Sequence, residues 1–362
     1  MTTGQSEQAE SIEGLDSEIS LWDYPLDSVS IRTEMRTIHE VVIRRIQKGF
    51  YIMDPDFQRE FVWGEERQSR LIESVLMRIP LPVFYLAENP DGKLVVVDGL
   101  QRLTTFERFL EDKLSLRLEN PELKNKTFSS LIPKLQNRIE DTQITLYIID
   151  AKVPDRARLD IFERVNGGMA LSRQQMRNAL YQGKATAYLR DLAKDPIFVK
   201  ATGKSLPSNM MRDREAINRF CAFYSIGWAD YRDDMDQFLG DALTRMNQMT
   251  DAEIEELRAA FLRSMRNNIV VFGKHAFRKH ESGQENRKLL NMSLFDVFST
   301  GLARYDETVV ASHETQLREG FFGLMQQSEF LKDITYGTNG RMRVLGRFQA
   351  TQKLLVEVLG AV

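Results

Sequence analysis

Apolar and polar positions alternate along this chain with two different periods, and the change of period marks its organisation. Ile38, Val41, Val42 and Ile46 fall on one helical face. Thr37 and Glu40, at capping-box spacing, predict that this helix starts at Thr37, and Gly49 ends it. Leu71, Ile72, Val75, Leu76 and Ile79 give a second helical stripe, predicting a helix over 65–79 that Pro80 and Pro82 stop. The period then shortens. "VFYLAE" and "KLVVVD" read as strands around "NPDGK", a turn in which Pro90 presets φ and Gly92 permits φ > 0, so residues 83–98 are predicted to form a β-hairpin. Unbroken apolarity over Leu94–Val97 predicts a strand buried on both faces.

A third helix is predicted over 103–112, with Leu103, Phe106, Phe109 and Leu110 inward. "TQITLYIID" is a further strand, and "RARLDIFERV" a helix interrupted at Asn166-Gly167-Gly168. Ser172 is placed to cap the next helix, "LSRQQMRNALYQG". All prolines lie at or before Pro207, so the remainder of the chain predicts a helical domain. The fold class that follows is α+β: a small mixed sheet with packed helices, then an all-helical domain. The boundaries are an acidic disordered tail over 1–20, an α+β domain over 21–182 and helices over 183–362.

Composition narrows the classes. A net charge of −3 gives no global case for nucleic acid, although a local basic groove remains open. A single cysteine, Cys221, excludes an intramolecular disulfide and fits a reducing, cytoplasmic setting. No apolar run approaches the ~18–20 residues that span a bilayer, so no membrane partner is expected. Glu7, Glu10, Glu13, Asp16 and Glu18 exclude a signal peptide and support the tail reading.

The candidate chemistry gathers at "LVVVDGLQRL", Leu94–Leu103. A strand that turns into a helix at Asp98-Gly99 presents unpaired backbone N–H groups, which with the helix dipole favour an anion. Gly99 allows close approach, Arg102 can grip a phosphate with two N–H bonds, Gln101 can orient water, and Asp98 can hold a divalent cation or accept a proton. The plainer alternative makes Asp98 a cap and pairs Arg102 with Glu107 or a sheet edge. "DPDFQREFVW" sets Gln58 and Arg59 between Phe57, Phe61 and Trp63, where a base could stack or aromatics could simply pack.

Three stretches in order, "IHEVVIRRIQKGFYIMDPDFQREFVWGEERQSRLIESVLMRIPLPVFYLAE", "VVVDGLQRLTTFERFL" and "IFERVNGG", resemble the N-terminal domain of GmrSD-type restriction enzymes. The likeness continues through "MRDREAINRFCAFY", "FGKHAFRK" and "NMSLFDVFSTGL" in the helical half. It implies a ParB/sulfiredoxin-like fold that binds and hydrolyses a nucleoside triphosphate with Mg2+, in systems that restrict modified foreign DNA. Carried over by position, Asp98, Gly99, Gln101 and Arg102 match the family's Asp-Gly-Gln-Gln-Arg motif. Gln58 and Arg59 match its upstream Gln-Arg, Trp63 its tryptophan and Asn166 its asparagine. The chain departs from the motif at Leu100, where the first glutamine stands, and leucine can neither bond phosphate nor place water. That departure favours an alternative, a DNA-binding or regulatory module that binds nucleotide without turnover. Many relatives add an HNH nuclease module; with only His39, His275, His280 and His313 and no such pattern, the nuclease is expected from a partner subunit. His275 and His280, five apart, fall off one helical face, and all four read as surface residues.

Three further patterns carry candidate chemistry. "TGKS" over 202–205 imitates a Walker A ending, but Phe198 stands where glycine is required and no strand precedes it. Asp98 with Asp150 and Lys152 would suit a metal-activated water. Arg341, Arg343 and Arg347 on one predicted helix could form a phosphate-binding edge on nucleic acid, or be solvated and paired.

Overall fold

A computed structural model of the chain describes residues 12, 29–53, 63–89, 91–165 and 172–361. Gln58, Arg59, Phe57, Phe61, Pro90 and Asn166, and the acidic stretch over 1–20 apart from Ile12, lie outside the described residues. The structure divides between Leu180 and Tyr181 into two units, each with its own core.

The first unit is a five-stranded sheet in the order β1-β5-β3-β4-β2. The strands are β1 (Ile31–Thr37), β2 (Tyr51–Ile52), β3 (Phe84–Glu88), β4 (Leu94–Asp98) and β5 (Gln143–Ile149). β1 runs antiparallel to β5, β3 is parallel to β5 and antiparallel to β4, and β2 is parallel to β4. The sheet is therefore mixed, and the unit is α+β as the alternation of periods predicts. β3 and β4 form the hairpin, closed by Asn89 N–H donating to the Lys93 carbonyl and by Gly92 at φ 78°. Leu94, Val95, Val96 and Val97 are all buried. Leu94 and Val96 join Phe84, Leu86, Ile144, Leu146 and Ile148 in one core. α4 (Asp155–Val165) and α5 (Arg173–Leu180) pack against β4.

Helices α1 (Glu65–Leu76), α2 (Leu100–Leu110) and α3 (Pro133–Glu140) complete this unit. α1 ends three residues earlier than its stripe predicts. Arg78 adopts φ 62°, which breaks the helix before Pro80, and Ile79 is left 48% exposed rather than in the core. β1 is a strand that the apolar pattern misses, because its charged residues Arg32, Glu34 and Arg36 alternate with Ile31, Thr33 and Met35 at an edge. The helix expected from Thr37 becomes a π-helix over Glu40–Ile46, still capped by the Thr37 hydroxyl, which accepts from Glu40 N–H at 3.1 Å. Ser172 caps α5 as expected: Ser172 Oγ accepts from Gln175 N–H while Gln175 Oε1 accepts from Ser172 N–H.

The second unit is helical: α6 (Lys184–Ala193), α7 (Pro196–Thr202), α8 (Arg212–Ser225), α9 (Met235–Gln248), α10 (Asp251–Phe272), α11 (Met292–Leu302), α12 (Glu307–Ser312), α13 (Glu314–Met325), α14 (Ser328–Asp333) and α15 (Arg341–Leu359). Its centre holds an ionic cluster. Asp296 on α11 accepts from Arg219 of α8 at 2.8 and 2.6 Å and from Arg347 of α15 at 2.9 Å, all three side chains being buried. "TGKS" lies at the C-terminal end of α7, with Gly203 left-handed at φ 63°, the opposite end of a helix from that which a phosphate loop uses.

Of the four histidines, His280 departs from the surface reading, and His275 packs against it. His280 is only 5% exposed, its ring stacked on Phe321 at 4.7 Å and on His275 at 4.8 Å. A short 3-10 turn over Gly273–His275 and the chain reversal after it bring the two rings together, which helical spacing could not anticipate. Burial pushes both imidazoles below their ordinary value; Lys274 and Arg278 add to this for His275, and His275, Arg318 and Lys288 for His280, against the Arg278 carbonyl. Folded protein therefore binds fewer protons here than unfolded protein, whose histidines titrate near ~6.5. Stability contributed by the pair is present above that value and is lost as pH falls through it. The unfolding midpoint of His280→Phe is accordingly expected to change less than the parent's between about pH 7 and 5, measured by thermal denaturation.

Candidate functional site

β4 delivers Asp98 to the end of the sheet, and α2 begins two residues later. α2 starts earlier than its apolar face predicts, so Leu100, Gln101 and Arg102 lie in its first turn and not in a loop ahead of it. Gly99 makes the junction at φ 103° and ψ 6°, a conformation that L side chains rarely adopt. A Cβ at this position would also lie 2.3 Å from Phe84 Cδ1.

Arg102 folds back over this junction. Its guanidinium lies 4.2 Å from the centroid of the Phe84 ring. Nη2 donates to Asp98 Oδ2 at 2.7 Å and to the Val83 carbonyl at 3.1 Å, and Nη1 donates to the Pro82 carbonyl. Within the chain the partner is thus not Glu107 but the aspartate at the end of β4, with the two carbonyls that precede β3, as the sheet-edge alternative expects. Burial raises the Asp98 carboxyl above its ordinary value despite the Arg102 charge and the Gly99 N–H, and burial lowers the Arg102 guanidinium despite Asp98. The Pro82 and Val83 carbonyls hold the guanidinium beside the carboxylate.

Gln101 is turned toward Trp63: its Oε1 accepts from Trp63 N–H at 3.3 Å. The Trp63 carbonyl accepts from Gln68 Nε2 at 2.6 Å, and the Arg67 guanidinium lies 4.2 Å from the Trp63 ring centroid. The structure therefore brings Trp63, Gln101, Asp98, Gly99 and Arg102 together at one end of the sheet, although they lie on separate elements. Leu100 points the other way. It is 6% exposed and packs into the apolar core with Leu103 and Phe106. At this position the chain fills its core, which accounts physically for leucine where the resemblance implies glutamine.

Two participants escape a reading of the sequence. Phe84 reads as an ordinary strand residue, yet it supplies both the floor of the turn and the surface under Arg102. Gln68, buried at 1% exposure, ties the Trp63 carbonyl to Arg108, and its signal was a polar residue on the apolar stripe of α1, four before Ile72. Elsewhere in the unit, a cleft of about 570 Å³ is lined by Arg78, Ile79, Leu81, Lys134, Arg138 and Asp141, and not by Asp98, Gln101 or Arg102.

The other candidate groupings are not assembled. Tyr85 stands across from Asp98, whereas Asp150 bonds Ser30 beyond β1 and accepts from Lys152 N–H in its own turn. Among the described residues no group of three or more His, Cys, Asp or Glu side chains could hold a metal. Of Arg341, Arg343 and Arg347, the first is exposed and the second part-exposed, and Arg347 does not belong to the same edge. Arg347 is fully buried against Asp296, Arg343 pairs with Asp333 at 2.8 Å, and Arg341 Nε donates to the Tyr231 carbonyl at 3.1 Å. Arg347 is corrected from a nucleic-acid contact to part of the helical core. Cys221 is buried and burial pushes its thiol far up, so it is no nucleophile.

Comparison with known proteins adds one finding. Residues 38–182 match a family model described as GmrSD restriction endonuclease, N-terminal domain. No curated protein and no solved structure matches the chain. Among the described residues no helix is long and apolar enough to cross a membrane.

Proposed function

We propose, starting from a chain whose residues 38–182 match the GmrSD-type restriction endonuclease N-terminal domain, that this protein is the nucleotide-binding component of a DNA restriction or anti-phage defence system. The ligand is a nucleoside triphosphate with magnesium, bound at the Asp98–Arg102 turn. The observation that carries the reading is the strand–turn–helix that gathers Asp98, Gly99, Gln101 and Arg102 beside Trp63 at one end of the sheet. Arg102 is engaged by Asp98 at 2.7 Å and has to leave it to take a phosphate. A magnesium–triphosphate can replace that ion pair charge for charge: phosphate oxygens take the Arg102 guanidinium and the cation takes the Asp98 carboxylate. Magnesium beside a nucleotide is held by one or two carboxylates completed by phosphate oxygens and water, so Asp98 can serve as one such ligand. When bound, the cation would neutralise charge on the phosphates. Gln101 is placed to orient a water, and Trp63 offers a ring to a base. Gln58, Arg59 and Asn166 complete the pocket in this reading. A nuclease subunit would supply DNA cleavage.

Leu100 favours a second reading, a regulatory module that binds nucleotide without hydrolysing it, because a buried leucine cannot contribute to water placement. Phosphate release by purified protein, with and without DNA, separates the two: no turnover of any of the four nucleotides with binding intact supports the regulatory module. Binding itself is tested by titration calorimetry with each nucleotide, with and without magnesium. Arg102→Ala is expected to weaken binding by roughly 1.5–3 kcal/mol, the scale of a charge-assisted hydrogen bond. Unchanged affinity in a variant that melts like the parent would remove Arg102 from the site.

A further inference from the structure

The two edges of the sheet are built differently. β2, at one edge, is two residues long. β1, at the other, is seven residues long and pairs with β5 in unbroken register from Ile31 to Thr37, with no proline, lysine or bulge. Where shortness, proline or a bulge would protect an edge outright, β1 carries only the charged side chains Arg32, Glu34 and Arg36, which restrict its partner to a strand of matching charge order.

Among the described residues, the phase of the ladder shows which backbone groups of β1 face away from β5. Asp150 N–H donates to the Ser30 carbonyl, and Ile38 N–H donates to the Thr142 carbonyl. Hydrogen-bonded positions alternate in an antiparallel pair. Arg32, Glu34 and Arg36 therefore turn their N–H and C=O groups toward β5, and Ile31, Thr33 and Met35 turn theirs outward. The side chains of those same three residues are exposed, Ile31 at 41% and Met35 at 63%. Arg32, Glu34 and Arg36 project from the opposite face, in a row of alternating charge with Glu88 and Glu40 at its ends.

This pattern is complementary to itself. Consider a second β1 running antiparallel alongside the first, related by a two-fold axis through Thr33. Thr33 then meets Thr33 of the other copy, Ile31 meets Met35, and Arg32 meets Glu34. Every outward N–H and C=O of Ile31, Thr33 and Met35 finds a partner. Moving the axis to Glu34 would set Glu34 against Glu34 and Arg32 against Arg36. Moving it to Met35, although it sets Glu34 against Arg36, would place Ile31 opposite His39, which is helical and outside the strand. Charge and strand length together select the register. We propose that two copies of this chain associate through β1, joining their sheets into one ten-stranded sheet with Thr33 at the two-fold axis. The interface is isologous, as closed two-fold dimers require. It is independent of nucleotide binding at the Asp98–Arg102 turn.

The test uses the full chain and light scattering across a concentration series. The parent is expected to approach twice its 41.9 kDa mass as concentration rises. Thr33→Pro removes an outward N–H without breaking a bond to β5 and is expected to remain a monomer. Thr33→Cys tests the register even if the proline variant fails to fold. Paired residues at the axis have Cα atoms about 5.5 Å apart, within disulfide range. The one native cysteine, Cys221, is buried, so a covalent dimer formed on oxidation reports the introduced thiol alone. Met35→Cys would place its two sulfurs roughly four residues, or about 13 Å, apart along the strands and is expected not to cross-link. A parent that stays monomeric throughout overturns the proposal. So does a dimer in which Thr33→Cys fails to cross-link or Met35→Cys cross-links as readily, and the cross-link decides the matter if the proline variant disagrees with it.

Discussion

Asp296→Asn is expected to destabilise the helical unit by about 3–5 kcal/mol, the largest effect of any single substitution in that unit. Asp296 is the one carboxylate between two buried guanidiniums. Arg219 receives it in two bonds at 2.8 and 2.6 Å, and Arg347 in one at 2.9 Å. The sharing is unequal. Although burial is the largest influence on both, Asp296 raises Arg219 above its ordinary value, while Arg347, penalised by burial and by Arg219, is held below it. Asparagine keeps the shape and removes the charge, leaving two desolvated cations facing each other. The cluster also anchors the turn before α15, since Arg219 reaches the Asn339 side chain and Arg347 donates to the Thr338 carbonyl. Urea denaturation should show a midpoint lowered with an unchanged slope. A loss below about 1 kcal/mol would mean the three groups are hydrated and not a sealed cluster.

Gly99→Ala is expected to be the most damaging single substitution in the sheet unit. Two independent costs coincide at this residue. An alanine at φ 103° is strained by about 1–2 kcal/mol, and its Cβ would lie 2.3 Å from Phe84 Cδ1, forcing a repacking worth about 1–3 kcal/mol. The same Cβ would lie 3.3 Å from Arg102 Nη2, so ring and guanidinium both have to give. The variant should therefore lose stability and nucleotide affinity together, as seen by denaturation and calorimetry on the same preparation. A fully stable Gly99→Ala would show that the turn adopts another conformation.

Much of the sheet unit could be read from its residues, and the reasons differ from place to place. The hairpin was legible because a buried strand and a Gly-containing turn each leave a local signature at 83–98. β4 showed its double burial in four consecutive apolar residues. β1 was not legible, since an edge strand with one charged row carries no apolar run and its identity depends on β5 over a hundred residues away. At the site, the sequence placed Asp98, Gly99, Gln101 and Arg102 side by side but could not show what Arg102 touches. Its partners at Pro82 and Val83 come from the loop before β3, a tertiary contact with no local trace. In the helical unit the spacing of Arg343 and Arg347 suggested a surface edge. Helical periodicity tells which residues share a face but not whether that face meets water or an aspartate on another helix.

The central claim is that the Asp98–Arg102 pair opens to admit a magnesium–triphosphate. A crystal structure of the full chain with a slowly hydrolysed nucleoside triphosphate and magnesium tests it most directly. The expected result is a phosphate oxygen within hydrogen-bond distance of the Arg102 guanidinium and Asp98 Oδ2 withdrawn from its present 2.7 Å contact. Nucleotide bound elsewhere, for instance among Arg78, Lys134 and Arg138, with the Asp98–Arg102 contact unchanged, would contradict it.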